Sequence, residues 1–193
     1  MLAKHLSSKH PNDFIMESVK DKKITQAIIK HGLKSKNVKI KVSGMKTFAE
    51  IAFHYRKSID DFLGQILPYI EGSVSENSND LIQNSLDILK QAFRHSNPNK
   101  VSEVAKSEAS RFSRFLTQVM AHSSSKVMCD AIKITGDFAM QQQSVDGKFI
   151  SNHSYMLKSL YQSISQKLAL QEIDQEVKQN SIISIAQILM MSH

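Results

Sequence analysis

Four times along this chain, an apolar residue is followed four positions later by a small or β-branched one at the head of an apolar segment: Val38/Val42, Leu81/Ser85, Val127/Ala131 and Val177/Ser181. The intervals between these pairs are 43, 46 and 50 residues. Each marked segment follows another that is rich in apolar residues at i, i+3, i+4 and i+7, the pattern of a helix with one buried face. The segments predict helices near 22–34 and 38–54, 58–73 and 79–95, 102–122 and 125–141, and 152–169 and 174–191. Small residues at the fourth position would let the partner helix of each hairpin approach closely.

A hairpin repeated at this interval is close to the period of roughly 40–47 residues that marks HEAT and armadillo arrays. The expected fold is therefore all-α: an α-solenoid of about four HEAT-type helical hairpins, coiled as a right-handed superhelix and cut from a longer array. The hairpins occupy approximately residues 21–55, 57–96, 100–141 and 151–192 of a domain spanning 21–193. Residues 1–20, with Pro11-Asn12-Asp13 among Ser, Lys and His, have no periodic pattern and read as a flexible linker. The scarcity of breakers agrees with helices joined by short turns, since the 193 residues include only six Gly and three Pro.

Two places test the helical reading. Val38-Lys39-Ile40-Lys41-Val42 alternates like a half-buried strand, but Val38, Val42, Met45, Ala49 and Phe53 continue at helical spacing, so helix is expected. Pro68 falls inside the third predicted helix, where its missing N–H and its ring favour a kink.

Charge is divided unevenly. Residues 1–57 hold 13 Lys+Arg against 4 Asp+Glu (+9), and residues 58–193 hold 12 against 14 (−2), which accounts for the net +7. Lys30, Lys34, Lys36, Lys39, Lys41 and Lys46 cluster around the first predicted hairpin. Such an end steers acidic partners by long-range, salt-sensitive attraction. Arg for bidentate contacts and aromatics for base stacking are missing from the cluster, and Phe48 is expected in the core. An acidic protein surface is thus preferred to nucleic acid.

Catalytic and cofactor chemistry finds little support. The six glycines lie far apart, which disfavours a phosphate-binding loop, and the eight histidines never take HExxH or comparable spacing. A single cysteine, Cys129, excludes an internal disulfide and a thiolate zinc site, and its place on an apolar stripe predicts packing over nucleophilic use. Asp60-Asp61 and Glu172, Asp174 and Glu176 fall at predicted helix starts, where carboxylates cap free amides. No enzymatic activity, cofactor, metal or small-molecule substrate is expected. Met1–Phe14 lacks the apolar run of a secretory leader, and no stretch reaches the roughly 20 apolar residues of a membrane span, so an intracellular protein without a membrane partner is expected.

One run is specific enough to suggest a family. Leu168-Ala169-Leu170-Gln171-Glu172-Ile173-Asp174-Gln175-Glu176-Val177-Lys178, followed by Ser181-Ile182 and Gln187-Ile188, resembles a repeat of the cullin-associated, neddylation-dissociated (TBP-interacting) family. Leu33–Lys39, Ile66-Leu67-Pro68 and His95-Ser96-Asn97-Pro98 agree in order, so the resemblance spans about residues 24–191. It departs at Leu116–Asp130 and at the polar loop Gln141–Asn152. The resemblance implies an internal segment of a scaffold in cytoplasm and nucleus. Such scaffolds wrap around cullin–RING ligases lacking the ubiquitin-like modifier and promote exchange of substrate receptors.

On that reading the second helix of each hairpin lines the concave surface and the turns line an edge. The candidate protein-binding residues are Lys36, Asn37, Lys39 and Lys41 in the first repeat, and Gln83, Asp87 and Lys90 in the second. Two other readings are a HEAT scaffold of nuclear transport or splicing, and a basic helical nucleic-acid-binding domain.

Overall fold

The computed structural model describes residues 22–55, 59–76, 78–95, 107–143, 149–170 and 173–190. The expected linker and the start of the fifth predicted helix, through residue 106, lie outside the described residues. Among those described there are eight α-helices and no strand. They are α1 (Lys23–Ile28), α2 (Val38–His54), α3 (Ile59–Gly72), α4 (Asn79–His95), α5 (Ala109–Met120), α6 (Ser125–Gln143), α7 (Phe149–Leu168) and α8 (Gln175–Met190). The alternating run at Val38–Val42 is helical, α3 continues through Pro68, and α7 starts at Phe149, ahead of the expected residue 152.

Local chemistry sets where the helices begin. Asn37 Oδ1 accepts from Lys39 N–H at 2.9 Å to open α2, and Asp174 Oδ1 accepts from Glu176 N–H at 2.8 Å to open α8. Ser78 Oγ accepts from Leu81 N–H at 3.4 Å before α4, and the Ser124 carbonyl accepts the first bond of α6 from Met128 N–H. The Asn37, Asp174 and Ser78 side chains thereby satisfy amides that have no partner within the helix. In α3 the proline leaves the Gly64 carbonyl without its usual donor, and Gly64 is exposed, so water can serve it.

The helices form two layers. α2, α4, α6 and α8 each pack on the next, α3, α5 and α7 do likewise, successive helices α3/α4, α5/α6 and α7/α8 pair as hairpins, and the segment Ile29–Leu33 that follows α1 packs on α2. This order is consistent with an α-solenoid. The core runs between the layers: Phe48 meets Phe62 with ring centroids 5.1 Å apart, and Phe93, Phe112 and Phe138 join α4, α5 and α6 at 5.2–6.1 Å. Leu67, Leu86, Leu116, Ile132 and Leu160 are fully buried among them.

The small-residue positions behave in two ways. Ser85 and Ser181 are fully buried, and each hydroxyl donates back to a carbonyl four residues earlier, Leu81 O and Val177 O, which avoids an unsatisfied polar group. In the first hairpin, however, the close contact is not at Val42, which is only half buried. A π-type turn over Ile29–Leu33, closed by Lys34 N–H donating to Ile29 O, brings Gly32 against Gly44. A Cβ on either glycine would stand 3.2 Å from the other's Cα. Phe53, expected on the buried stripe of α2, is 52% exposed.

Candidate protein-binding surface

Counting from the caps gives the four second-layer helices one frame. Asn37, Ser78, Ser124 and Asp174 are separated by 41, 46 and 50 residues, so the first interval is two residues shorter than the apolar pairs imply. Five, nine, twelve and sixteen residues after the cap, one stripe recurs: Gln83, Asp87, Lys90 and Arg94 on α4, then Cys129, Lys133, Gly136 and Met140 on α6. Of these, Gln83 and Arg94 on α4 and Cys129, Lys133 and Gly136 on α6 meet the next helix.

Side-chain pairs cross both contacts at matching places. Gln83 Nε2 donates to Asp130 Oδ2 at 2.7 Å from α4 to α6, and at the same two positions one repeat later Asn180 Nδ2 donates to Cys129 Sγ at 3.8 Å. Arg94 Nε donates to Asp137 Oδ2 at 2.6 Å, and Lys133 Nζ to Glu176 Oε1 at 3.0 Å. Ser184 Oγ donates to Ile132 O at 2.8 Å, beside Gly136, where a Cβ would collide with Gln187 Oε1. Glycine there lets α8 come close to α6.

Titration follows the same packing. Burial pushes the Asp87 carboxyl up from its ordinary value; Asp130 adds to the rise, and Lys90, Gln83 and Lys126 oppose it. Lys126 and Asp87 occupy the positions of Glu176 and Lys133 with the charges reversed, but only Lys133 and Glu176 form an ion pair. The hydrogen bond to Glu176 raises Lys133. Burial raises the Cys129 thiol, so this cysteine is packed and poorly ionised.

The candidate residues therefore divide. Lys36 and Lys39 are exposed, and among the described residues neither has an ion-pair partner. Asn37 is exposed but caps α2, and Lys41 pairs with Glu76 after α3. Gln83 is engaged with Asp130. Asp87 and Lys90 are half buried and help line a cleft of about 440 Å³ between α2 and α4, together with Lys46, Ala49, Glu50 and Phe53. Sequence reasoning missed Phe53 as a surface residue and left Lys46, though named in the basic cluster, out of the candidate contacts; the cap position of Asn37 carried the signal, because counting from it puts both on the recurring stripe.

The basic end persists in three dimensions. Between Lys22 and Ala49 there is no Asp or Glu, while Lys30, His31, Lys34, Lys36, Lys39 and Lys46 are all exposed. In the other layer the acids are bound up: Arg111 grips Glu71 Oε2 with two nitrogens at 2.8 and 2.6 Å and also reaches Glu108 at 3.0 Å. Asp60, Asp61 and Glu172 have side chains outside the described residues. Among those described, no three His, Cys, Asp or Glu side chains gather to hold a metal ion, and no helix is long and apolar enough to cross a membrane. No protein-family model matches the chain, and no curated protein matches it in sequence.

Proposed function

We propose that this chain is a non-enzymatic, protein-binding segment of a HEAT-type scaffold. The observation that carries the reading is the recurrence of helix contacts at fixed distances from successive caps, because a molecule built by repetition offers an extended surface instead of a convergent pocket. Its partner is an acidic protein surface approached first by the basic end, with Lys36 and Lys39 as leading contacts and Lys46, Phe53, Asp87 and Lys90 of the α2–α4 cleft beside them. The resemblance at Ile173–Lys178 makes an unmodified cullin–RING complex the first partner to test, in cytoplasm or nucleus. Asp174, within that run, caps α8, so part of the similarity serves folding.

Calorimetric titration against the complex with and without its ubiquitin-like modifier tests this reading. Binding to the unmodified form alone supports it, and equal binding to both removes the regulatory part. The pair Lys36→Glu and Lys39→Glu is expected to leave the melting temperature unchanged and to weaken binding about tenfold at low salt, less at high salt. Unchanged affinity at low salt would take these lysines out of the interface. If DNA or RNA binds instead, with an affinity that falls steeply with salt, the basic nucleic-acid-binding reading replaces it.

A further inference from the structure

At both later joints between second-layer helices, the residue thirteen after the cap reaches back to the helix before it. Asp137 of α6 accepts from Arg94 Nε of α4 at 2.6 Å, and Gln187 of α8 lies so close over Gly136 of α6 that a Cβ there would collide with its Oε1. At the joint between α2 and α4 that residue is Gln91, which lines the open cleft. Its Oε1 is shielded from water and has no hydrogen-bond partner among the described residues. The position from which Arg94 serves Asp137, sixteen after the cap, is held on α2 by Phe53, a ring without a donor that is 52% exposed. The first joint thus keeps the acceptor and lacks the arginine. A buried acceptor without a donor has lost its hydration and gained nothing in exchange, so the cleft is incomplete by itself.

We propose that the α2–α4 cleft receives an arginine side chain of a protein partner, in the place that Arg94 fills at the next joint. A turn about the terminal bond of Gln91, a soft torsion in glutamine, presents Oε1 to the entering guanidinium. Two carboxylates stand on the same walls: Asp87, one turn before Gln91 on α4, and Glu50, three residues before Phe53 on α2. The exposed Phe53 ring gives the guanidinium a surface to stack on. Lys46 and Lys90 line the cleft as well, so net charge does not select the occupant; the arrangement of acceptors does. A planar fork of five donors serves an amide oxygen and a carboxylate together, which a compact ammonium does less well. A carboxylate in the cleft would leave Gln91 Oε1 unserved. The volume of about 440 Å³ is of the size that takes a small ligand or a long side chain. The inference rests on reading this chain as a protein-binding segment, and it names the side chain that one part of that surface takes.

The probe is the capped tripeptide acetyl-Gly-Arg-Gly-amide, titrated into the full chain and followed by the side-chain amide signals of Gln91 in nitrogen-15 NMR spectra. It is expected to shift those signals saturably and one to one. Binding should be about tenfold weaker when lysine, or the neutral isostere citrulline, replaces the arginine. Phe53→Arg, at an exposed position, is expected to supply the missing arginine from the chain itself and abolish peptide binding without lowering the melting temperature. The pair Lys36→Glu and Lys39→Glu should leave the tripeptide's affinity unchanged, so failure of the wider partner surface and failure of this cleft are read separately. No saturable shift at Gln91, equal binding of the citrulline or lysine peptide, or indifference to Phe53→Arg overturns the proposal. Free L-arginine binding more tightly than the peptide also overturns it, by making the ligand a small molecule instead of a partner's side chain.

Discussion

The middle of the stack and its two ends use the same positions for different purposes. Nine residues after the cap stand Lys46, Asp87, Lys133 and Ile183. In the middle, Lys133 is paired with Glu176 on the next helix and Asp87 lies in the field of Asp130 and Lys126, and neighbouring pairs tie α4 to α6 and α6 to α8. Toward the first hairpin, Lys46 lines an open cleft, and at α8, Ile183 is exposed. A repeated backbone therefore sets where contacts fall, while the residue placed there decides whether the position seals a joint or remains available to a partner.

The largest effect should separate the buried side of α8 from its exposed flank. Ile188→Ala is expected to cost about 2–5 kcal/mol in urea unfolding, as is Leu67→Ala in the middle, because each leaves a cavity among packed neighbours. Ile183→Ala should stay within about 0.5 kcal/mol, as at an open surface position. An Ile188→Ala cost below about 1 kcal/mol would break the distinction between the two sides.

Next in size is the tie in the other layer. Arg111→Ala should cost about 1 kcal/mol, toward the upper end for half-exposed ion pairs, because two nitrogens converge on Glu71. Arg111→Lys should recover only part of that loss, since an ammonium cannot reproduce the fork. Full recovery by lysine would reduce the contact to simple charge attraction.

The smallest effect concerns pH. Asp87 has a folded-state pKa above its unfolded value, so between the two the native state holds more protons and stability falls as pH rises through that window. Asp87→Asn is expected to flatten this part of the stability–pH curve, measured by thermal melts from acidic to neutral pH. A steeper fall in the variant would mean that attraction to Lys90 and Lys126 outweighs burial and repulsion by Asp130.

Much of the architecture was legible before any coordinates. The spacing of apolar residues located every helix, with α2 and α4 at their expected ends, because burial of one face imposes a period that local sequence must carry. The basic end was legible for the same reason, as charge is a property of composition. Asp174 read correctly as a cap, and Cys129 as a packed residue. Partnership was not legible: Lys41 and Lys39 look alike in sequence, yet one is paired with Glu76, 35 residues away, and the other is exposed.

The sequence by itself determined the helices, their pairing into hairpins and the placing of positive charge, all set by interactions among residues near one another in the chain. Only the tertiary structure decided that Gln83 reaches α6 while Asp87 lines the α2–α4 cleft, that Gly32 and Gly44 close the first hairpin, and that Phe53 and Ile183 remain exposed. These depend on how helices some 40–50 residues apart are rotated against one another, and periodicity within a single helix is blind to that rotation.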